Sequence, residues 1–231
     1  MPDDQQQKIF ETPLYPYERS QDQDAETAVR HPVVIVGAGP VGLAAAIDLA
    51  RQDVPVVVLD DNDKVSFGSR AICFAKRQLE ILDRLGCGEE MVRKGVTWNL
   101  GKVFFDERRI FDFNLLPEEG HKRPAFINLQ QYHFEKYLVD RVRALQAEGK
   151  PVEIRGLNRI THLADHADHV RLDVDTPEGP YKLEADWLIA CDGAGSPIRR
   201  MMGLEVVGQG FEDNFLIADV IMEAGFPTQR W

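Results

Sequence analysis

The stretch that most limits what this chain can become is Val33-Val34-Ile35-Val36-Gly37-Ala38-Gly39-Pro40-Val41-Gly42, followed by Leu43-Ala44-Ala45-Ala46-Ile47-Asp48-Leu49-Ala50. A short β-branched run leads into G-x-G-x-x-G and then into a run of helix formers. That order of buried strand, glycine turn and helix is the context in which the dinucleotide fingerprint has physical meaning. Gly37 is placed to make the tight turn, Gly39 to let backbone approach a pyrophosphate, and Gly42 to let helix and strand pack closely. Pro40 suits the first helical position, where a missing N–H costs nothing. The N–H groups of Val41 and its neighbours then face an anion at the positive end of the helix.

The total charge narrows the partners. A formal net charge of −11 on 231 residues argues against a nucleic-acid face or docking on anionic lipid. Cys73, Cys87 and Cys191 form no C-x-x-C pair, which points to reduced thiols in a cytoplasm. The polar start Met1-Pro2-Asp3-Asp4 does not have the form of a signal peptide, and the opening apolar run is broken by glycines, Pro40 and Asp48. A chain away from the membrane is expected.

Residues 1–30, rich in Gln, Asp and Glu, read as a flexible acidic tail, with Phe10, Leu14, Tyr15 and Tyr17 able to lie along the domain surface. Val54–Asp60 is a second buried strand ending on an acid. Asp60 stands 23 positions after Gly37, near the roughly 20-residue interval of a ribose-binding carboxylate. A strand-end turn cap is the alternative, and Asp61 and Asp63 follow directly. Arg70 lies in the next loop, within reach of a phosphate or simply solvated.

Leu79, Leu82 and Leu85 predict a helix over Ala75–Leu85 that stops at Gly86. A hairpin is predicted for Val103–Phe113, and a long helix for Gln130–Ala147, with Tyr137 a core residue. Short strands follow at 152–155, 159–163, 169–174 and 181–184, the last two alternating like an antiparallel, half-exposed sheet. His162, His166 and His169 lack the supporting ligands of a metal site.

Trp187-Leu188-Ile189-Ala190 reads as one more short buried strand, running into Cys191-Asp192-Gly193-Ala194-Gly195-Ser196-Pro197-Ile198-Arg199. This is a second strand, glycine turn and helix start, with Ser196 as N-cap and Pro197 as first helical residue. Asp192 can accept from ligand hydroxyls, and Arg199 sits on the first turn. By itself the string also fits a capped helix and nothing more.

The order of G-A-G-P-V-G, acid-ended strand, Ser69-Arg70-Ala71 and then C-D-G-A-G-S-P-I-R resembles the class A flavin-dependent monooxygenases, the p-hydroxybenzoate-hydroxylase-like family. Ser69–Ile72 and Phe126–Tyr132 resemble the 3-(3-hydroxyphenyl)propionate hydroxylase type. The resemblance spans about residues 31–222. It implies an α/β fold: a Rossmann-like FAD/NAD(P)-binding domain with β-sheet insertions, and part of a mixed-sheet substrate domain. It further implies that Gly37, Gly39 and Gly42, with Pro40 and Val41, hold the FAD pyrophosphate, and that Asp60 holds the adenosine ribose. Arg70 would contact the flavin, and Gln131, beside Gln130, the ribityl region. Asp192 and Gly193 would serve FAD and NAD(P)H, with Ser196 and Arg199 shaping their turn.

The family's chemistry uses NAD(P)H and O₂ to hydroxylate a small phenolic or aromatic compound. Its members also carry a later G-D motif on the flavin phosphate, which does not follow Arg199 here. The expected organisation is therefore a tail over 1–30, an FAD-binding domain over 31–211 with an excursion at 95–126, and a truncated substrate domain over 212–231 beginning in the apolar strand Asn214–Met222. Weak flavin binding follows from that expectation. The rival readings are a non-catalytic FAD-binding module and another oxidoreductase of the same fold.

Overall fold

A computed structural model describes residues 13–66, 70–214, 216 and 223–231. The expected Asn214–Met222 strand, Ser69 and the first twelve residues fall wholly or mostly outside them.

Six strands form the main sheet: β1 (Val29–Val36), β2 (Val56–Leu59), β8 (Val152–Arg155), β9 (Arg159–Asp165), β10 (Val170–Asp175) and β11 (Tyr181–Ala190). Their order is β8-β2-β1-β11-β10-β9. The first four are mutually parallel, and β11, β10 and β9 continue as antiparallel neighbours. Pro32 interrupts β1 where a ladder donor is lost, but β2 pairs only from Val33 onward, so that side of Pro32 has no strand to satisfy.

Side chains alternate across the parallel strands. Val33, Ile35, Val56 and Val58 share one core with α1 (Pro40–Arg51), α2 (Lys76–Leu85) and α4 (Gln131–Ala147), through Leu43, Ile47, Leu79, Leu138 and Val142. Val34, Val36, Val57 and Leu59 share a second with Ile160, Leu172, Val174 and Leu183. β8 and β9 sit at opposite ends of the strand order, yet only Gly156, Leu157 and Asn158 join them. Three residues span little more than about 10 Å. The antiparallel limb must therefore fold back over the parallel strands, and its apolar side chains cover their second face. Two covered faces are why β1 and β2 read as unbroken apolar runs.

Helix α2 starts at Lys76, buries the three predicted leucines and ends at Gly86 with φ +87°. Helix α3 (Gly88–Lys94) follows, and β3 (Cys73–Ala75), β4 (Val96–Trp98) and β7 (Phe126–Asn128) form a small second sheet. The predicted hairpin is β5 (Leu100–Phe105) with β6 (Arg108–Asn114). A fifth helix, α5 (Pro197–Met201), closes the second glycine turn.

Three expectations need correction. The strands foreseen at 181–184 and 187–190 are one ten-residue strand, β11. It is not buried along its final part, where Trp187 is 74% exposed. The third concerns residues 13–28, which are not a free tail. Leu14 and Tyr15 are buried, and a 3₁₀ turn at Gln21–Asp24 buries Asp22. The Asp22 carboxylate lies 2.7 Å from both Arg155 Nη1 and His31 Nε2. Burial alone would raise the Asp22 pKa, but the hydrogen bonds with His31 and Arg155 outweigh it and hold the carboxyl below its usual range. An acidic composition does not by itself mean a solvated tail: Asp22 is held by the buried Arg155 cation.

Candidate functional site

Strand register brings the two glycine turns together. Val33 to Val36 of β1 pair with Trp187 to Ala190 of β11, so Gly37 and Cys191 leave the sheet side by side. The Cys191 amide donates to the Val36 carbonyl at 2.7 Å, and the Gly37 amide to the Leu59 carbonyl at 2.7 Å. A Cβ on Gly37 would lie 2.4 Å from the Cys191 carbonyl oxygen, and the residue has φ +105°. Only glycine fits there. A Cβ on Gly42 would lie 1.9 Å from the Gly37 carbonyl oxygen, which is the close packing expected of that position. Around Gly39 there is nothing within 4 Å. It is the N-cap of α1, with Pro40 the first helical residue.

A groove of about 790 Å³ opens at this point, lined by Gly37, Gly39, Pro40 and Val41 of the first turn and by Asp192 and Gly193 of the second. Asp60, Arg70 and Gln131 also line it. Asp60 is tied to the first turn: its Oδ2 accepts from the Ala38 amide at 2.5 Å and its Oδ1 from the Asn62 amide at 2.8 Å. Burial raises its pKa, opposed by those two amide donors. A carboxylate has about four acceptor sites, so lone pairs remain for ligand hydroxyls.

Asp192 caps α5. Its Oδ1 accepts from the Ser196 hydroxyl at 2.6 Å and its Oδ2 from the Ile198 amide at 2.9 Å, while Ser196 Oγ accepts from the Arg199 amide at 2.9 Å. Ser196 is the N-cap, as its sequence context predicts. Ser196 and Arg199 do not line the groove. The Ser196 hydroxyl is committed to its cap, and the Arg199 guanidinium folds back onto the Ala194 carbonyl at 2.9 Å. Their place is behind the turn, where they hold its shape.

Sequence reasoning missed Glu135, Tyr15 and Asn158, all on the groove wall. Glu135 is 3% exposed; its Oε1 accepts from Gln131 Nε2 at 2.7 Å and its Oε2 from the Ser66 amide at 2.6 Å. The i,i+4 spacing of Gln131 and Glu135 on a helix was a usable signal. Tyr15 and Asn158 had none, because the contacts that bring them to Asp60–Lys64, Tyr15 with Asp63 and Lys64 and Asn158 with Asp60, are distant in sequence.

Residues 30–230 match the FAD binding domain family. The chain belongs to that family. This FAD binding domain is 31% identical over 200 residues to anhydrotetracycline monooxygenase of Streptomyces rimosus, covering 86% of this chain and 38% of that protein. It is 28% identical to para-nitrophenol 4-monooxygenase of Pseudomonas sp. (strain WBC-3), covering 83% and 47%. It is also 28% identical to 3-(3-hydroxy-phenyl)propionate/3-hydroxycinnamic acid hydroxylase of Escherichia coli (strain K12), covering 87% and 36%. The crystal structure of p-nitrophenol 4-monooxygenase from Pseudomonas putida DLL-E4 superposes with a TM-score of 0.72 at 29% identity, over 79% of this chain and 46% of that one. The chain thus spans between 36% and 47% of the length of these curated relatives. The resemblance to flavin-dependent aromatic monooxygenases, and the Rossmann-like α/β fold it implied, hold.

The groove of the FAD binding domain suits the group for which the family is named. The open space at Gly39 leaves backbone accessible to a pyrophosphate, and the N-terminus of α1 presents unpaired amides to it. The carboxylates of Asp60 and Asp192 line the same groove. Among the described residues there is no helix long and apolar enough to cross a membrane, and Cys73, Cys87 and Cys191 are free thiols.

Proposed function

We propose that this chain is the FAD-binding part of an NAD(P)H-dependent monooxygenase that inserts oxygen from O₂ into a small phenolic or aromatic compound. The observation carrying this reading is the pairing of Val36 with Ala190, which brings both glycine turns to one groove beside Asp60. A plain nicotinamide dehydrogenase needs only the first turn. Bound FAD would supply the chemistry, accepting electrons from NAD(P)H and activating O₂. The protein's own contribution is binding and orientation. Gly37, Gly39 and Gly42, with Pro40 and Val41, receive the pyrophosphate at the helix end. Asp60 accepts from the adenosine ribose. Arg70 meets the flavin end, and Gln131, oriented by Glu135, the ribityl chain. Asp192 and Gly193 contribute the neighbouring turn, shaped by Ser196 and Arg199. The free thiols support a cytoplasmic location, and the acidic net charge supports small-molecule rather than nucleic-acid partners.

Two measurements test this. Asp60→Asn turns one acceptor into a donor facing a backbone amide. Losing a charged hydrogen bond costs about 1.5–3 kcal/mol, so FAD and ADP affinity should both fall roughly 10- to 150-fold by calorimetry. Unchanged ADP affinity would remove Asp60 from the ribose. For the activity, the whole protein carrying this chain, loaded with FAD, should oxidise NAD(P)H faster when a substituted phenol is added. The hydroxylated product should carry one ¹⁸O atom from ¹⁸O₂. Label arriving from water instead contradicts the monooxygenase reading.

A further inference from the structure

Residues 13–24 bring Tyr15 to the wall of the groove, on the stretch lined by Asp60 to Asn62 and Lys64. The Leu14 and Tyr15 amides both donate to the Asp63 carbonyl, at 2.9 and 3.0 Å, and the Tyr15 hydroxyl donates to the Lys64 carbonyl at 2.9 Å. The Tyr15 carbonyl is pressed onto Gly156, where a Cβ would lie 1.9 Å away. Arg143 on α4 donates to the Leu14 carbonyl. Tyr15 is buried and lines the groove together with Asp60, Asp61, Asn62 and Lys64.

A second tether reaches the same loop from Asp22. Its partner Arg155 is the last residue of β8, and the Arg155 carbonyl accepts from the Asp60 amide at 3.1 Å. Arg155 Nη1 also donates to the Tyr181 hydroxyl at 3.2 Å, which donates to Asn158 Oδ1 at 2.8 Å. The Asn158 amide returns to the Asp60 carbonyl at 2.8 Å, and the Leu157 amide to the Asn62 carbonyl at 3.0 Å. The Asp60–Lys64 loop is thus held by the strap at Tyr15 and by the network that Asp22 anchors. Arg155 keeps Glu153 as a second partner, at 2.8 Å, so the network has support of its own once Asp22 is altered.

We propose that the strap of residues 13–24 is part of the dinucleotide site, with Tyr15 the positioning residue that fixes the Asp60–Lys64 loop against the adenosine half of the ligand. This rests on the assignment of FAD to the groove. The strap closes the far side of the loop, and Asp60 meets a ribose only while that loop stays in place. Its role is pre-organisation, the loop being held in place by the protein's own hydrogen bonds.

The test uses the intact chain with ADP and FAD as probes. Tyr15→Phe removes one neutral hydrogen bond and keeps the ring, so the affinity for both probes should fall by roughly 2- to 10-fold. Tyr15→Ala should weaken both further and by a common factor, since only the adenosine half is concerned. Asp22→Asn should act in the same direction. In all three variants without ligand, the Asn62, Leu157 and Asn158 amides should exchange hydrogen faster than in the wild type. Tyr15→Phe and Asp22→Asn are near-isosteric, so they carry the test if Tyr15→Ala does not fold. The proposal is overturned if folded variants bind ADP as the wild type does, or if FAD weakens while ADP is unaffected. A wild-type chain that takes up neither probe overturns the cofactor assignment itself, and the strap's role with it.

Discussion

Gly42→Ala is expected to lower the melting temperature by about 6–12 °C and to abolish dinucleotide binding. The added methyl would stand 1.9 Å from the Gly37 carbonyl oxygen, a backbone atom with no rotamer to yield. Gly37 cannot retreat, because its own Cα faces the Cys191 carbonyl and its amide is bonded to Leu59. Helix α1 would have to move off β1, exposing Leu43, Ala46 and Ile47, each fully buried in the native packing. Overpacking of this kind costs about 3 kcal/mol, at the upper end of its usual range. A chain of this size loses about 2–4 °C for each kcal/mol. Thermal unfolding followed by circular dichroism reads the effect. A variant melting within about 2 °C of the wild type would show that helix and strand are not locked as described.

The complementary substitution, Gly39→Ala, separates binding from folding. Gly39 has φ −76° and open space where a Cβ would go, so alanine meets no obstacle in the protein. Alanine is a poorer N-cap than glycine, but it also restricts the unfolded chain, and these small terms oppose each other. The melting temperature should stay within a few degrees of the wild type. A pyrophosphate laid against the turn would meet the methyl. A clash of about 1–3 kcal/mol weakens binding roughly 5- to 150-fold. FAD titration followed by flavin fluorescence, beside a thermal melt of the same sample, distinguishes the outcomes. Unaltered affinity would mean that the ligand does not pass over Gly39. The two neighbouring glycines thus have opposite signatures: one loses the fold and the site together, the other the site alone.

What could be read from the chain in advance depended on the range of the interactions. The first glycine turn was legible because its parts lie within ten residues, and Gly37 and Gly42 each have a separate steric reason. Asp60 and the Ser196 cap were legible because they follow strand ends at fixed offsets. Strand β11 was read as two because Glu184 and Asp186 interrupt its apolar run. In the structure Asp186 pairs with Arg30 at 2.6 Å across the ladder, so a charge within the strand is satisfied by its neighbour. Arg199 stands on the first turn after the glycines, a place where phosphates gather. Its guanidinium instead finds a carbonyl five residues back. The strap was the largest miss. Tyr15 meets Lys64, and Asp22 meets Arg155, across separations of 49 and 133 residues that no local pattern can report.

The account's central claim is that one groove, built by the pairing of β1 with β11, takes up the dinucleotide. Hydrogen exchange of the chain with and without FAD tests it most directly. Slower exchange should appear together at residues 37–42, 60–64 and 191–198, and the same pattern, restricted to the adenosine side, should appear with ADP. Protection at only the first glycine turn, or none at 191–198, would contradict the shared groove and leave the second turn as a capped helix alone.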